Sequence, residues 1–517
     1  MGLLDDLLAK GYFPRELPPS FSTVSFAVRV LGDRAHWPAS FASSIRSKFC
    51  AYSLAKAGGL RRKLGIPNPV CHLRLCDFIA SRWRDLRLHS RSSTISRSRP
   101  VRDRRRKQRA VVTALPFEEL PAVRATNRSN AKYVVVTDLS EFYSSIYTHT
   151  VPWAIHGKPA AKANRTNALY GNVLDTLLRE SQDGQTVGIP IGPDTSLVVA
   201  EVVLCAVDKE LVSSIPTIRG LRYMDDFELY YADPTAAEHG LALLQETLLE
   251  YELRLNPRKT TVEQAPLGIE PEWVHVFRNF SFSSKQRTQA KDLIRYFDAL
   301  TKYLRENPKD HIVKYALARI RELPVHNANW NLYQALLANA VTVEPGAVDN
   351  YIDILICSHN RGSAPTQQLT ESTLNAIVRT SAPLGHHHEL VWSLWGILSF
   401  RLSIQQEAAE AVSKVDNSLV ALMALDAERN GLVPGGLDRA KWESRMTQGD
   451  LYDDQWLLSY EGNVKGWLPS MGVGDHVGTD QCFGYLKRLG VEFYEPVPAV
   501  AGQVPPVTGG LGYRKIP

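Results

Sequence analysis

The stretch "LRYMDDFELYY", residues 221–231, sets two adjacent aspartates, Asp225 and Asp226, inside an otherwise aromatic and apolar run. Carboxylates are poor strand formers and costly to bury without a partner. A chain that folds through this stretch must turn the pair into water at a hairpin tip or provide a counter-charge. A tight hairpin tip favours glycine, which is missing here, and strand formers flank the pair on both sides. A second acidic strand end lies at Asp138, directly after "YVVVT". If the two strands are neighbours, three carboxylates meet. Close like charges repel, and a divalent cation is their natural partner. Hard oxygen ligands favour Mg²⁺ or Mn²⁺, which keep positions open for substrate phosphates. Two such ions about 3.5–4 Å apart activate a hydroxyl and stabilise a leaving pyrophosphate, so the expected reaction class is nucleotidyl transfer. The solvated hairpin tip stands as the alternative.

A chain of 517 residues exceeds one ordinary core, so two or three domains are expected. The net charge of +6 is mild, but its distribution is not: twelve Lys or Arg lie between Arg82 and Arg109 against only Asp85 and Asp103. The densest part is Arg102, Arg104, Arg105, Arg106, Lys107 and Arg109. Such a block is either a solvated arm or a site for polyanions. The six cysteines are scattered without a C-x-x-C pair, which suggests neither a disulfide framework nor a zinc site. Cys205 and Cys357 sit in apolar runs and read as small core residues. No apolar run reaches the roughly 18 residues that a membrane span needs, and the start "MGLLDDLLAKGYF" lacks a basic leader. No membrane association and a cytoplasmic location are expected.

Along the chain, residues 1–57 read as an N-terminal helical extension. Residues 58–283 alternate strand-like and helical runs: "KYVVVTDL" (132–139) and 221–231 are β-rich, whereas 176–180 and 240–255 have helical spacing. From residue 284 the pattern becomes amphipathic helices over 289–304, 311–322, 329–341, 388–403 and 405–427, broken by Pro and Gly. That alternation suggests stacked helical pairs, as in an irregular α-solenoid, over 284–517. The end, "PVPAVAGQVPPVTGGLGYRKIP", reads as extended or loose. The "HHHE" run at 386–389 invites a metal reading, but "HHHELVWSLWGIL" reads better as a helix with Leu390, Val391, Leu394 and Trp395 inward.

"YMDDF" resembles motif C of reverse transcriptases, and "VVVTDLSEFYSSIY" (134–147) resembles motif A. "GIPIGPDTSLVVAE" (188–201) is similar to motif B, "LNPRKT" (255–260) to motif D, and "RKLGIPNP" (62–69) to the fingers motif of group II intron and retron enzymes. The wording "RRKLGIPNP" and "PIGPDTS" resembles bacterial abortive-infection and defence-associated reverse transcriptases, the AbiK-like and prophage Abi-type enzymes. The resemblance implies an α+β fingers–palm core over 58–283, followed by an all-α, HEAT-like helical-repeat domain in place of a standard thumb. Asp138 and Asp225 then match metal ligands, Asp226 the third catalytic carboxylate, and the Leu139 backbone an extra metal contact. Arg62 matches the arginine that grips the triphosphate, where a guanidinium offers paired donors to phosphate. Tyr143 matches the residue that closes on the sugar 2′ position, Gly192 and Ser196 match the motif B segment under the base pair, and Lys259 matches the motif D lysine that donates a proton to pyrophosphate. Asp194 reads equally as a helix cap.

The same resemblance implies two Mg²⁺ ions, dNTPs, an RNA partner (in one version a dedicated non-coding RNA), a DNA product and a trimeric or hexameric homo-oligomer in a bacterial cytoplasm. It leaves open copying of that RNA, untemplated synthesis, or priming on a tyrosine, for which Tyr12 and Tyr52 are N-terminal candidates among twenty tyrosines. A silent nucleic-acid-binding scaffold and a phage-sensing helical-repeat protein are the readings from other classes.

Overall fold

The computed structural model describes residues 2–103, 109–472 and 474–497. Eight strands occur among them: β1 Cys50–Ala55, β2 Arg61–Ile66, β3 Pro100–Arg102, β4 Val111–Thr113, β5 Tyr133–Asp138, β6 Arg219–Tyr223, β7 Asp226–Tyr231 and β8 Thr261–Gln264. The chain divides into two compact units. The first comprises Met1–Pro14, Thr23–Phe49 and Gly65–Glu270; the second comprises Arg15–Ser22, Cys50–Leu64 and Pro271–Pro517. This division by compactness differs from the reading with boundaries at 57 and 283. Two N-terminal segments cluster with the second unit, and one of them holds a strand where a helical extension is expected.

In the first unit a four-stranded antiparallel sheet runs in the order β6-β7-β5-β8. Consecutive valines in "YVVVTD" stiffen β5 into an extended chain. One face of the sheet presents Val134, Leu221, Tyr223 and Tyr230, which pack with Leu120 into an apolar cluster. The helix Pro234–Glu250 packs against β5 and β7. It starts cleanly because Asp233 accepts from the Ala236 N–H and Pro234 takes the first helical position. The helix Asp194–Ser214 is apolar almost all round and nearly all buried, the pattern of an internal helix.

In the second unit, helices follow one another from Glu272–Asn279 to Gln481–Arg488. Most pack on the helix two places along: Gln286–Glu306 on Trp330–Val343, Trp330–Val343 on Gln367–Ser381, and Val348–His359 on His387–Phe400. The segment expected as one helix over 405–427 is two, Gln406–Ser413 and Ser418–Arg429. Asn417 causes the break by capping the second, accepting from the N–H groups of Leu419 and Val420. Arg15–Ser22 belongs here because Ser22 N–H donates to Phe493 O and Glu495 N–H to Ser20 O, at 3.0 and 2.7 Å. β1 belongs here because Asn417 donates to Ala51 O and Tyr52 bonds His388. The tail beyond Val497 lies outside the described residues.

Candidate active site

β5 and β7 are antiparallel in a register that places Asp138 directly opposite Asp226. Directly opposed residues have Cβ atoms about 4.5–5.5 Å apart, and like charges in that position destabilise the sheet. Asp225 sits one residue earlier in the two-residue turn Met224–Asp225 that joins β6 to β7. A turn of this length needs positive φ at its first position, normally supplied by glycine. Met224 adopts φ 57° there, and Glu141, three residues after Asp138, adopts φ 46°. Strained positions of this kind cluster at functional sites.

Asp138 is 7% exposed, and its Oδ1 is buried without a hydrogen-bond partner. Its Oδ2 is held by the Lys259 ammonium. Asn256 positions that lysine: its N–H donates to Asp138 O at 2.8 Å, and its own carbonyl accepts from Lys259 N–H at 3.0 Å. Desolvation works against the Lys259 charge, but the hydrogen bond and charge of Asp138, then Asp226 and Asp225, outweigh it and raise its pKa. The Asp226 carboxyl is pushed up to about 7, first by desolvation and then by the charges of Asp225 and Asp138. Asp226 is open to solvent, and the repulsion from its like-charged neighbours is the part a cation would relieve.

The turn is clamped from behind by a buried ionic network. Arg222, fully buried, bonds Glu201 and Asp208, and its Nη1 donates to Met224 O at 2.8 Å. Ser98 Oγ accepts from Met224 N–H at 2.7 Å and donates to Glu201 at 2.7 Å. Ser96 and Ser93 bond Glu201 and Asp208 at 2.9 and 2.6 Å. Desolvation presses both carboxylates upward. In Glu201 the charge and hydrogen bonds of Arg222, with Ser98 and Ser96, win and hold the carboxyl below its ordinary value, whereas in Asp208 desolvation wins. Sequence reasoning missed this network, although two acids seven residues apart in an apolar helix mark one face.

The loop Gly188–Gly192 lies against the end of the Asp138 segment. Ile189 N–H donates to Tyr143 O and Gly188 N–H to Ile146 O, at 2.9 and 2.8 Å. Gly192 has φ 129°, and a Cβ there would lie 2.7 Å from Pro14 Cγ, so only glycine fits. Ser196 is buried and spends its hydroxyl on Pro190 O at 2.5 Å, which shapes the loop. Tyr143 is half-buried, whereas Phe142 is in the core.

Several expectations need correction. Arg109 is not part of a polyanion arm: it reaches inward to Asp194 Oδ1 at 2.5 and 2.7 Å and to the carbonyls of Phe13 and Gly192. Asp194 also accepts from the N–H groups of Ala110 and Val111, so it is a buried anchor and more than a cap. Arg102 is likewise paired, with Asp6 at 2.6 Å. Arg104, Arg105, Arg106 and Lys107 lie outside the described residues. Tyr12 and Tyr52 are fully buried, their hydroxyls bonded to Pro67 O and His388 Nδ1, which withdraws both as priming groups. Cys205 is buried as expected, but Cys357 is only half-buried.

Arg62 lies in the second unit, without an ion-pair partner among the described residues. In the "HHHE" run, Leu390, Val391, Leu394 and Trp395 are buried, Glu389 pairs with Arg61, and His388 with Tyr52. Among the described residues no three His, Cys, Asp or Glu side chains stand ready around a metal position, at the aspartates or elsewhere. What fits a cation at the aspartates is the orphaned Asp138 Oδ1, the like-charge pressure on Asp226, and the ammonium already drawn to Asp138.

Residues 86–311 match the family model described as "Reverse transcriptase (RNA-dependent DNA polymerase)". Residues 86–311 are thus similar to a reverse-transcriptase domain. Asp138, Leu139, Tyr143, Gly192, Ser196, Asp225, Asp226 and Lys259 fall inside the match and Arg62 outside it. The match supports RNA-directed DNA polymerase activity, a nucleotidyl transfer, for this domain, and reverse transcriptases generally use divalent ions such as Mg²⁺. No curated protein matches the chain by sequence. Among solved structures, apo telomerase from Candida tropicalis is similar at 12% identity and a TM-score of 0.33. The chain spans 65% of that telomerase chain, which in turn spans 65% of this one. No described helix is long and apolar enough to cross a membrane.

Proposed function

We propose that the protein is an RNA-directed DNA polymerase of bacterial antiphage defence that joins deoxynucleotides at Asp138, Asp225 and Asp226. The observation that carries the catalytic part of this reading is the direct opposition of Asp138 and Asp226 across β5 and β7. A sheet tolerates that repulsion when the site needs it for a cation. Asp138 and Asp225, with the Leu139 backbone and Asp226 beside them, are the groups that would hold Mg²⁺. When bound there, two such ions would supply the charge that activates a 3′-hydroxyl and offsets that of departing pyrophosphate.

The chain's own residues do the rest. The Arg222 clamp fixes the turn that presents Asp225. Tyr143, with its backbone bonded to the Gly188–Gly192 loop, guards the sugar 2′ position. Lys259 exchanges Asp138 for a phosphate oxygen when nucleotide arrives. Arg62 is assigned to the triphosphate by resemblance, as are the defence role, the homo-oligomer and the helical domain in place of a thumb. Synthesis copies a non-coding RNA, proceeds without template, or starts on a protein hydroxyl.

The test is incorporation of labelled dNTPs by purified protein with Mg²⁺, each dNTP supplied alone and together. Asp225→Ala should abolish incorporation with the fold intact; unchanged incorporation would sink the site assignment. Product that shifts on proteolysis identifies protein priming, and ribonuclease sensitivity of the reaction identifies an RNA template or primer. One observation favours the silent scaffold: Lys259 neutralises Asp138 as a cation would. A complete lack of incorporation across Mg²⁺ and Mn²⁺ titrations would decide for it.

A further inference from the structure

The half-buried arginines of the first unit are treated unequally. Arg74, Arg102, Arg109, Arg124 and Arg128 each meet a carboxylate. Arg87 and Arg99 are half-buried as well, yet no carboxylate pairs with them among the described residues, and the exposed Arg91 beside them is equally unpaired. All three line one recess of about 150 Å³ between the helix Trp83–Ser90 and β3, walled by Pro100 and Val101, with no Asp or Glu in its lining. A second recess of about 350 Å³ shares Arg87 and Val101 and is lined by Trp83. The Trp83 indole N–H has no hydrogen-bond partner among the described residues. Neither recess is lined by any of the three aspartates.

The local sequence explains the placement. In the extended segment Ser96–Pro100, Ser96 and Ser98 are buried against Glu201. The two-residue period of an extended chain then turns Arg97 and Arg99 to the opposite face. Guanidiniums offer planar, paired donors that match phosphate oxygens, and three of them exceed the single charge of an internal phosphodiester. They suit a terminal phosphate or a polyphosphate. An indole face beside them accepts a base by stacking.

We propose that this double recess is a nucleotide site apart from the polymerase site, taking a terminal phosphate or polyphosphate on Arg87, Arg91 and Arg99 and the attached base against Trp83. The ligand comes from one of two sources, a free nucleoside triphosphate or the phosphorylated 5′ end of an RNA. The site does not rest on the polymerase reading, since binding needs neither metal nor turnover.

The experiment uses the full chain, freed of nucleic acid, in EDTA. Binding of a 3′-labelled ten-nucleotide RNA with a 5′-triphosphate is compared by fluorescence anisotropy with the same RNA ending in a 5′-hydroxyl, so that general affinity for RNA cancels. The triphosphate should bind at least about tenfold tighter, as one or more charge-assisted contacts imply. Arg87→Ala combined with Arg99→Ala should erase that ratio, Arg87→Lys with Arg99→Lys should restore part of it, and Asp225→Ala should leave it whole. If the alanine pair fails to fold, Arg99→Gln replaces it with the same expected loss. Competition by ATP as strong as by the triphosphorylated RNA identifies a free nucleotide as the source; competition by the RNA end alone identifies RNA. Equal binding of the two RNAs by the unaltered chain, or a ratio unmoved by removing the arginines, overturns the proposal.

Discussion

Asp226 is drawn two ways, open to water yet facing Asp138 and beside Asp225, and its raised carboxyl sets a pH dependence. A carboxyl whose pKa rises on folding stabilises the protein below its unfolded value, and that contribution is lost as pH rises through the folded value. With a folded value of about 7 against 3.8 unfolded, the melting temperature of metal-free protein should fall between about pH 4 and 7. Asp226→Asn should flatten the fall, and scans across that range in EDTA check it. Lys259→Met removes the ammonium from Asp138, so metal affinity, read by Tb³⁺ luminescence, should rise several-fold while dNTP incorporation slows. The three aspartates were legible because a charge inside a strand pattern has few physical excuses. Arg109 was not: a charge run says nothing about which member turns inward, and its partner Asp194 lies 85 residues away.

Among elements, the β6–β7 hairpin depends on the network behind it. Arg222→Ala leaves Glu201 and Asp208 buried without their counter-charge, which should cost about 3–5 kcal/mol in urea unfolding. Arg222→Lys keeps the charge but cannot reach both acids and Met224 O at once. It should therefore keep more of the stability than it keeps of the incorporation rate, a split that identifies Arg222 as a positioning residue. Gly192→Ala puts a methyl against Pro14 at a backbone angle that side chains avoid, and should destabilise by about 1–3 kcal/mol. The strands themselves were readable from "YVVVT" and "ELYY", where β-branched and aromatic residues leave little choice. The clamp was not readable, because it joins the helix Asp194–Ser214, the segment 93–98 and β6, and periodicity carries no information about pairings between elements. The split of 405–427 was visible at Asn417 and was overridden by the apolar spacing on either side.

At the scale of the whole molecule, the second unit takes Arg15–Ser22 and Cys50–Leu64 from the chain's first part. Those segments supply Tyr52 to His388, Arg61 to Glu389 and the Glu16 carbonyl to Trp392 Nε1. Residues 271–517 expressed alone should thus be poorly soluble and melt without a cooperative transition, and supplying 1–64 as a separate peptide should restore part of it; calorimetry and solubility assays check both. No local pattern could reveal this exchange, since composition does not report partners more than 300 residues away. The exchange also orders events on the ribosome. Domains emerging from synthesis generally fold in turn, the N-terminal one first, but here β1 leaves the tunnel long before His388 and Asn417 exist. Phe21 likewise waits for Tyr494, its bridge partner. Early-made apolar segments must therefore stay unpaired through most of translation, which makes the nascent chain a natural client for holding chaperones.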